Sequence, residues 1–141
     1  MSKEGKLKKI TVPVLQRMKE QGEKISVLTA YDVLFAALED EAGIDCILVG
    51  DSVGMVYAGH ENTLPVTLDD MIYHTRAVRR GVKRALLVTD MPFLTFQISP
   101  QETLRNAGRI IQEAGAEAVK IEGPWCEAVE AVTAAGIPVM G

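Results

Sequence analysis

Several features that assign proteins to familiar classes are missing from this 141-residue sequence. No apolar run approaches the roughly 18 residues needed to cross a bilayer, so we expect no contact with membranes. Two cysteines, Cys46 and Cys126, are too few for a disulfide framework. Residues 1–9 are polar and lysine-rich, predicting a frayed tail without the apolar segment of a secretory signal. These absences favour a cytoplasmic protein.

The charge balance also lacks the excess of basic residues that is typical of proteins that bind nucleic acid. The net charge is −4, and no basic run is longer than a few residues. We therefore expect no nucleic-acid partner. Hydrophobic residues make up 48% of the chain, which is enough for a sizeable core. The length and composition together predict a single domain over residues 1–141.

Short apolar runs alternate with amphipathic segments along the whole sequence. The runs predict strands at 25–29, 45–50, 84–89, 117–122 and 137–140, and the segments between them predict helices at 11–21, 32–42, 67–80, 99–115 and 124–135. This alternation indicates an α/β fold with a parallel sheet. No glycine-rich phosphate motif follows the first strand, which makes a dinucleotide-binding domain less favoured.

The chain is about half as long as a (β/α)8 barrel requires. No helix follows the fifth predicted strand, so we expect the sequence to break off within or just after it. The segment 51–66 between the second strand and the next helix carries few helix signals. We interpret it as a long loop of roughly 15 residues, a length that often marks function.

Three successive predicted strands each end in a carboxylate. Asp51 follows the second strand, Asp90 the third and Glu122 the fourth. The carboxyl ends of parallel strands form the rim where ligands bind in such folds. Three acids placed together repel one another unless a cation or protons are present, and their hard oxygen atoms suit Mg²⁺ or Mn²⁺. The sequence therefore predicts a divalent metal site on this rim.

Ser52 and Lys120 lie beside the predicted metal ligands. Lys120 is two residues before Glu122 and so shares its strand face. A lysine among apolar neighbours is costly to bury unpaired, which favours a role in binding an anionic substrate group. The alternative interpretation is a structural salt bridge from Lys120 to Asp90 or Glu122. Each acid taken singly could likewise be only a helix cap or a turn residue.

The segments that carry these residues resemble the ketopantoate hydroxymethyltransferase family, in the same order and with similar spacing. The resemblance covers nearly the whole chain from residue 10 onward. The matching segments are Leu28-Thr29-Ala30-Tyr31-Asp32, Val49-Gly50-Asp51-Ser52-Val53-Gly54-Met55, Thr63-Leu64-Pro65-Val66-Thr67, Tyr73-His74-Thr75-Arg76-Ala77-Val78, Asp90-Met91-Pro92-Phe93 and Val119-Lys120-Ile121-Glu122-Gly123.

The resemblance implies a (β/α)8 TIM barrel of the phosphoenolpyruvate mutase-like group, of which this chain covers about the first five strands. It implies transfer of a hydroxymethyl group from 5,10-methylenetetrahydrofolate to 3-methyl-2-oxobutanoate, giving 2-dehydropantoate for pantothenate and coenzyme A synthesis. By position, Asp51, Asp90 and Glu122 match the family's Mg²⁺ ligands, one ion per subunit. Asp51, Ser52, Asp90 and Lys120 match its oxoacid-binding residues.

The resemblance also implies what this sequence does not contain. The family's proton acceptor is a glutamate beyond Gly141, so no catalytic base is expected in the chain, and the family forms homo-oligomers. Two alternatives stay open. One is a related Mg²⁺-dependent oxoacid lyase or mutase on the same barrel. The other is a catalytically inactive fragment, because the expected catalytic base is not among these 141 residues.

Overall fold

The computed structural model describes residues 8–141 and shows an α/β fold with five parallel strands. The sheet order follows the chain order, β1-β2-β3-β4-β5. The strands are β1 Val27–Thr29, β2 Cys46–Val49, β3 Leu86–Asp90, β4 Ala118–Lys120 and β5 Val139–Met140. Sequential parallel order with a helix in each connection is the arrangement of one part of a TIM barrel, as predicted.

The helices occupy the connections that the sequence indicates, with two additions. They are α1 Val12–Glu20, α2 Val33–Ala42, α3 Val53–Val56, α4 Leu68–Gly81, α5 Pro100–Arg109 and α6 Cys126–Ala134. The prediction of an uninterrupted loop over 51–66 is wrong, because the one-turn helix α3 lies inside it. The second addition is a π-helical turn, Ile110–Ala114, which continues α5.

Local side-chain chemistry explains where several of these helices begin. Asp32 caps α2 by accepting from the backbone N–H groups of Leu34 and Phe35. Thr67 and Asp70 form a complete capping box at the start of α4. Ser99 accepts from the backbone of Glu102 at the start of α5. The sequence predicts a reciprocal box there, but the described contacts include only this half of it.

Side chains pack on both faces of the sheet. Ile47, Val49 and Leu87 face the outer layer with Met71 and Val78 of α4. The opposite face carries Cys46, Leu86, Val88 and Ala118, and residues of α1 pack against it. Because side chains alternate along a strand, this face also carries Asp90 and Lys120, which are register partners. The two polar residues therefore lie on the barrel-interior side of the sheet.

In α2, Leu34 is 64% exposed whereas Ala36 is fully buried. One sequence expectation needs correction. Residues 1–7 of the predicted tail lie outside the described residues. Lys9 within that tail is anchored, donating to the Ala85 carbonyl and to the Glu117 carboxylate. None of the helices in the described range could span a bilayer.

Candidate metal and oxoacid site

The three predicted carboxylates reach the same rim through three different strand ends. Asp90 is the last residue of β3, while Asp51 and Glu122 each follow the end of their strand by two residues. Gly50 makes the close approach possible. A Cβ atom at this position would lie 2.7 Å from Ser52 Oγ and 3.4 Å from the Asp90 carboxylate. Any larger residue at position 50 would therefore push these two side chains apart.

Asp90 is the centre of the rim's hydrogen bonds. Lys120 Nζ donates to one oxygen of its carboxylate at 2.9 Å, and the backbone N–H of Asp51 donates to the other at 3.1 Å. Asp90 is only 8% exposed, so both contacts lie in a partly dry environment. The salt bridge considered from the sequence is present. The Lys120 ammonium group can still donate further hydrogen bonds, because it has three N–H donors.

The ion pair with Asp90 also keeps Lys120 positively charged. Burial, the largest influence, would lower the pKa of this ammonium group. The hydrogen bond and charge of Asp90, with the more distant charges of Glu122 and Asp51, outweigh burial, so the pKa is raised. Lys120 therefore remains a cation at neutral pH, which suits binding of a carboxylate and disfavours nucleophilic attack.

Asp51 has the opposite electrostatic situation. Burial and, next, the neighbouring charge of Asp90 raise the pKa of its carboxyl group, whereas a hydrogen bond from Thr63 and the charge of Lys120 lower it less. A raised carboxyl pKa means that negative charge on the rim is under-compensated by the protein itself. A bound cation would relieve this repulsion.

A cavity of about 390 Å³, which we call the rim cavity, opens beside these groups. Asp51, Asp90, Lys120 and Glu122 all line it, together with Thr63 and Phe96 among other residues. Its volume lies in the range of small-molecule pockets. Ser52 is not in this lining. Ser52 follows Asp51 in the chain, and its hydroxyl lies 2.8 Å from the Tyr31 hydroxyl.

The side chains do not form a closed metal cage. Within residues 8–141, no three His, Cys, Asp or Glu side chains are arranged so that they could hold a metal ion as they stand. The donor chemistry nevertheless fits Mg²⁺. This ion commonly uses one or two carboxylates and completes its shell with water and substrate oxygens, and it does not require an all-protein cage. The cavity, the carboxylates and the under-compensated charge at Asp51 meet those needs.

Two contacts at the rim go beyond the residues selected from the sequence. Thr63 reaches Asp51 from the segment after α3, and Tyr31 reaches Ser52 from the end of β1. Both lie in segments that match the family pattern, and Tyr31 lies two residues after the end of β1. Sequence position alone does not reveal such side-chain contacts, since the pairs are 12 and 21 residues apart and their encounter depends on loop geometry.

The model of the family described as ketopantoate hydroxymethyltransferase matches residues 9–141. A 3-methyl-2-oxobutanoate hydroxymethyltransferase from Syntrophus aciditrophicus is 54% identical over 143 aligned residues, covering 100% of this chain and 53% of that protein. One from Geobacter sulfurreducens is 57% identical, covering 92% of this chain and 49% of that protein. The chain thus spans about half the length of the curated relatives it matches.

Solved structures show where this fold belongs. Phosphonopyruvate hydrolase, solved with oxalate and Mg²⁺, superposes with a TM-score of 0.68 at 19% identity, over 86% of this chain and 46% of that one. A 2,3-dimethylmalate lyase of the phosphoenolpyruvate mutase/isocitrate lyase superfamily gives a TM-score of 0.64 at 20% identity, over 87% of this chain and 46% of that one.

Likeness at this level of identity establishes the fold alone, and it confirms that the chain forms part of a (β/α)8 barrel, as predicted. Membership at the finer level comes from the sequence. The family model covers almost the entire chain, and the relatives share more than half of the aligned residues. The chain belongs to the ketopantoate hydroxymethyltransferase family.

Proposed function

We propose that this chain supplies the metal-binding and oxoacid-binding part of a 3-methyl-2-oxobutanoate hydroxymethyltransferase. The reaction moves a hydroxymethyl group from 5,10-methylenetetrahydrofolate to C3 of 3-methyl-2-oxobutanoate and yields 2-dehydropantoate. The observation that carries the proposal is the rim cavity, where Asp51, Asp90, Lys120 and Glu122 converge from three strand ends. An anionic 2-oxoacid and a divalent cation complement that mixture of charges.

In this proposal, the carboxylate of the oxoacid is bound by Lys120, which lines the rim cavity, and by Ser52, which follows the lining residue Asp51 in the chain. Lys120 stays cationic beside Asp90 and can turn a remaining N–H toward the substrate. Ser52 can donate its hydroxyl proton to the substrate while accepting a hydrogen bond from Tyr31. Fixing the carboxylate at two points orients C3 toward the one-carbon donor, and such positioning lowers the barrier to reaction.

Asp51, Asp90 and Glu122 are the residues that would hold Mg²⁺. When bound, the ion supplies Lewis-acid polarisation of the keto group and favours loss of the C3 proton. Asp90 also fixes Lys120, so one carboxylate couples the ion's position to the anion-binding group. On the family pattern the base that accepts the C3 proton lies beyond Gly141, so the chain's own residues bind and orient.

Partners and location follow from the same proposal. The small-molecule partners are the 2-oxoacid and the folate, and the family pattern adds association into a homo-oligomer. Both cysteines are free thiols, with Cys46 buried and Cys126 exposed. Free thiols and a reduced folate suit the reducing environment of the cytoplasm.

The test joins residues 1–141 to the remaining half of the Syntrophus aciditrophicus relative, and we call this protein the chimera. We expect 2-dehydropantoate from the chimera only when the oxoacid, the folate and Mg²⁺ are all present. A chimera that folds but makes no product would contradict the proposal. Cleavage of other 2-oxoacids without folate would instead favour the lyase alternative.

A further inference from the structure

A second cavity lies directly beside the rim cavity, and we call it the side cavity. Its volume is about 430 Å³. It sits between the loop that follows β3 and the start of α6, so it too opens at the carboxyl end of the strands. Phe96 and Gln97 line both cavities. A ligand in the side cavity would therefore be separated from one in the rim cavity by two side chains at most.

Two aromatic side chains, Phe96 and Trp125, line the side cavity. Trp125 is 39% exposed and packs edge-to-face with Phe96, their ring centroids 6.1 Å apart. Pro100 and Pro124 add further rigid surface. A partly exposed indole that lines a cavity offers a surface for stacking a planar ring.

Gly123 sets the position of this indole. Its φ angle of +102° belongs to a region that L side chains rarely adopt, and a Cβ there would lie 3.2 Å from Trp125 Nε1. Gly123 also lines the rim cavity. The backbone that carries the predicted metal ligand Glu122 thus continues straight into the wall of the side cavity, which links the two sites structurally.

The polar groups of the side cavity suit a ring with hydrogen-bonding edges. Glu127 lines the cavity, and among the described contacts no donor occupies its carboxylate. Gln97 offers an amide, and Ser99 a hydroxyl whose proton is not used in its helix cap. A carboxylate and an aromatic side chain on the wall of one cavity match a flat heterocycle that carries an amino-pyrimidine edge.

We propose that the side cavity binds the bicyclic ring of the tetrahydrofolate donor, stacked on Trp125 with its amino edge toward Glu127. The inference rests on the proposed function, since it supplies that reaction with the place of its second substrate. A donor held here has its one-carbon unit near the shared wall of Phe96 and Gln97, next to the oxoacid in the rim cavity.

The kinetic test compares the chimera with its Trp125→Ala and Trp125→Phe variants. We expect Trp125→Ala to raise the KM for 5,10-methylenetetrahydrofolate about tenfold or more, because loss of a stacking aromatic costs that much affinity. The KM for the oxoacid should not change. Trp125→Phe, which keeps an aromatic face, should recover most of the folate affinity. Tyr73→Ala, which removes an exposed aromatic of α4, is the matched control and should leave both constants unchanged.

The binding test uses the 141-residue chain, in which Trp125 is the one tryptophan. Titration with the stable analogue 5-formyltetrahydrofolate should quench its fluorescence to saturation, and Glu127→Gln should weaken that binding. An active chimera whose folate KM is untouched by Trp125→Ala would overturn the side-cavity assignment and leave the proposed function intact. If the chimera is inactive, saturable quenching still supports the assignment, and its absence overturns it.

Discussion

The two ends of the sheet use the same kind of side chain in opposite ways. At the amino end, Asp40, Asp45 and Glu117 precede strands or hold the turns before them. At the carboxyl end, Asp51 follows β2, Asp90 is the last residue of β3, and Glu122 follows β4. The amino-end acids are surrounded by donors, whereas the carboxyl-end acids all line one cavity, in which only Asp90 has both carboxylate oxygens occupied by described donors.

The amino-end acids have their hydrogen bonds filled by the protein. Asp40 is 6% exposed and accepts from the backbone N–H groups of Lys83, Arg84 and Ala85. Asp45 accepts from Ser26 and from the Arg84 guanidinium. Glu117 pairs with Lys9 and Arg79. These contacts fasten the turns that lead into the strands, which is a structural role.

The pKa directions differ accordingly. Burial, the largest influence on Asp45, would raise its pKa, but the hydrogen bonds from Ser26 and the Arg84 charge outweigh it and the pKa is lowered. For Asp51, burial and Asp90 prevail and the pKa is raised. A carboxylate that the protein satisfies stabilises the fold, while one left under-compensated in a cavity is available to a cation. The partners of an acid, more than its place at a strand end, indicate its role.

The sharpest way to break this comparison is to replace one acid at each end by its amide. Asp90→Asn should lower turnover of the chimera by about a thousandfold, because a metal ligand that also fixes Lys120 contributes several kcal/mol to the transition state. Calorimetry should show weakened Mg²⁺ binding. Asp40→Asn should instead lower the free energy of unfolding by about 2 kcal/mol, since one amide oxygen cannot satisfy three donors. Unchanged Mg²⁺ affinity in Asp90→Asn would mean that the carboxyl-end acids are structural too.

The two lysine–carboxylate pairs allow a second comparison. Lys120→Ala should weaken binding of the oxoacid to the chimera by about ten- to a hundredfold, the value of a charged hydrogen bond. Lys9→Ala breaks the pair with Glu117 and should leave oxoacid binding unchanged, lowering the free energy of unfolding by about 1 kcal/mol. For both variants, calorimetry measures the oxoacid affinity and urea unfolding measures the free energy of unfolding.

Lys120 should also fail to form a covalent adduct. Its raised pKa keeps it protonated, so borohydride added with the oxoacid should trap no Schiff base. Mass spectrometry of the digested chimera would detect one. An adduct on Lys120 would overturn its assignment as a binding group.

The extent to which the sequence predicts this molecule follows the same division. Strand-end acids, helix starts and the β-α alternation are local patterns, so Asp51, Asp90, Glu122 and the cap at Asp32 can be identified without coordinates. Contacts between distant segments cannot be identified in this way. The three backbone donors to Asp40 lie more than 40 residues away, and the local pattern of an acid near a helix end does not predict them.

The misread elements have physical causes as well. The one-turn helix α3 follows Gly50 and contains Gly54, and its short length gives no periodic signal. Apolar spacing along α2 favours burial of Leu34 and Leu38, yet the structure buries the small Ala36 and leaves both leucines exposed. The close approach of α4 to α2 determines this packing. A Cβ at Gly81 of α4 would lie 2.6 Å from the Val33 carbonyl oxygen and 2.9 Å from the Ala37 backbone nitrogen.

A further prediction uses acid to weaken the amino end selectively. The folded-state pKa of Asp45 lies below its ordinary value of 3.8, so its ionised form stabilises the fold above that pH. The contribution is lost as the pH falls below 3.8 and through the lowered pKa. Urea unfolding should therefore show Asp45→Asn less stable than the original by about 1–3 kcal/mol at neutral pH, with the gap closing in acid. A gap that persists unchanged in acid would show that ionisation of Asp45 contributes nothing.

The smallest effect we expect comes from a single hydroxyl at the carboxyl end. Tyr31→Phe removes the contact with Ser52 Oγ at 2.8 Å and keeps the ring in place. Ser52 then loses the hydrogen bond that orients it, and the oxoacid KM of the chimera should rise about fivefold, as expected for one neutral hydrogen bond.

Tyr73→Phe is the matched control, because the Tyr73 ring is 69% exposed on α4 and its hydroxyl has no described partner. It should leave the KM unchanged, and both variants should unfold at the same urea concentration as the original. A Tyr31→Phe variant with a normal oxoacid KM would remove Ser52 from the binding group. The oxoacid carboxylate would then be bound by Lys120 and the metal alone, so that only charged groups at the carboxyl end of the sheet would bind it.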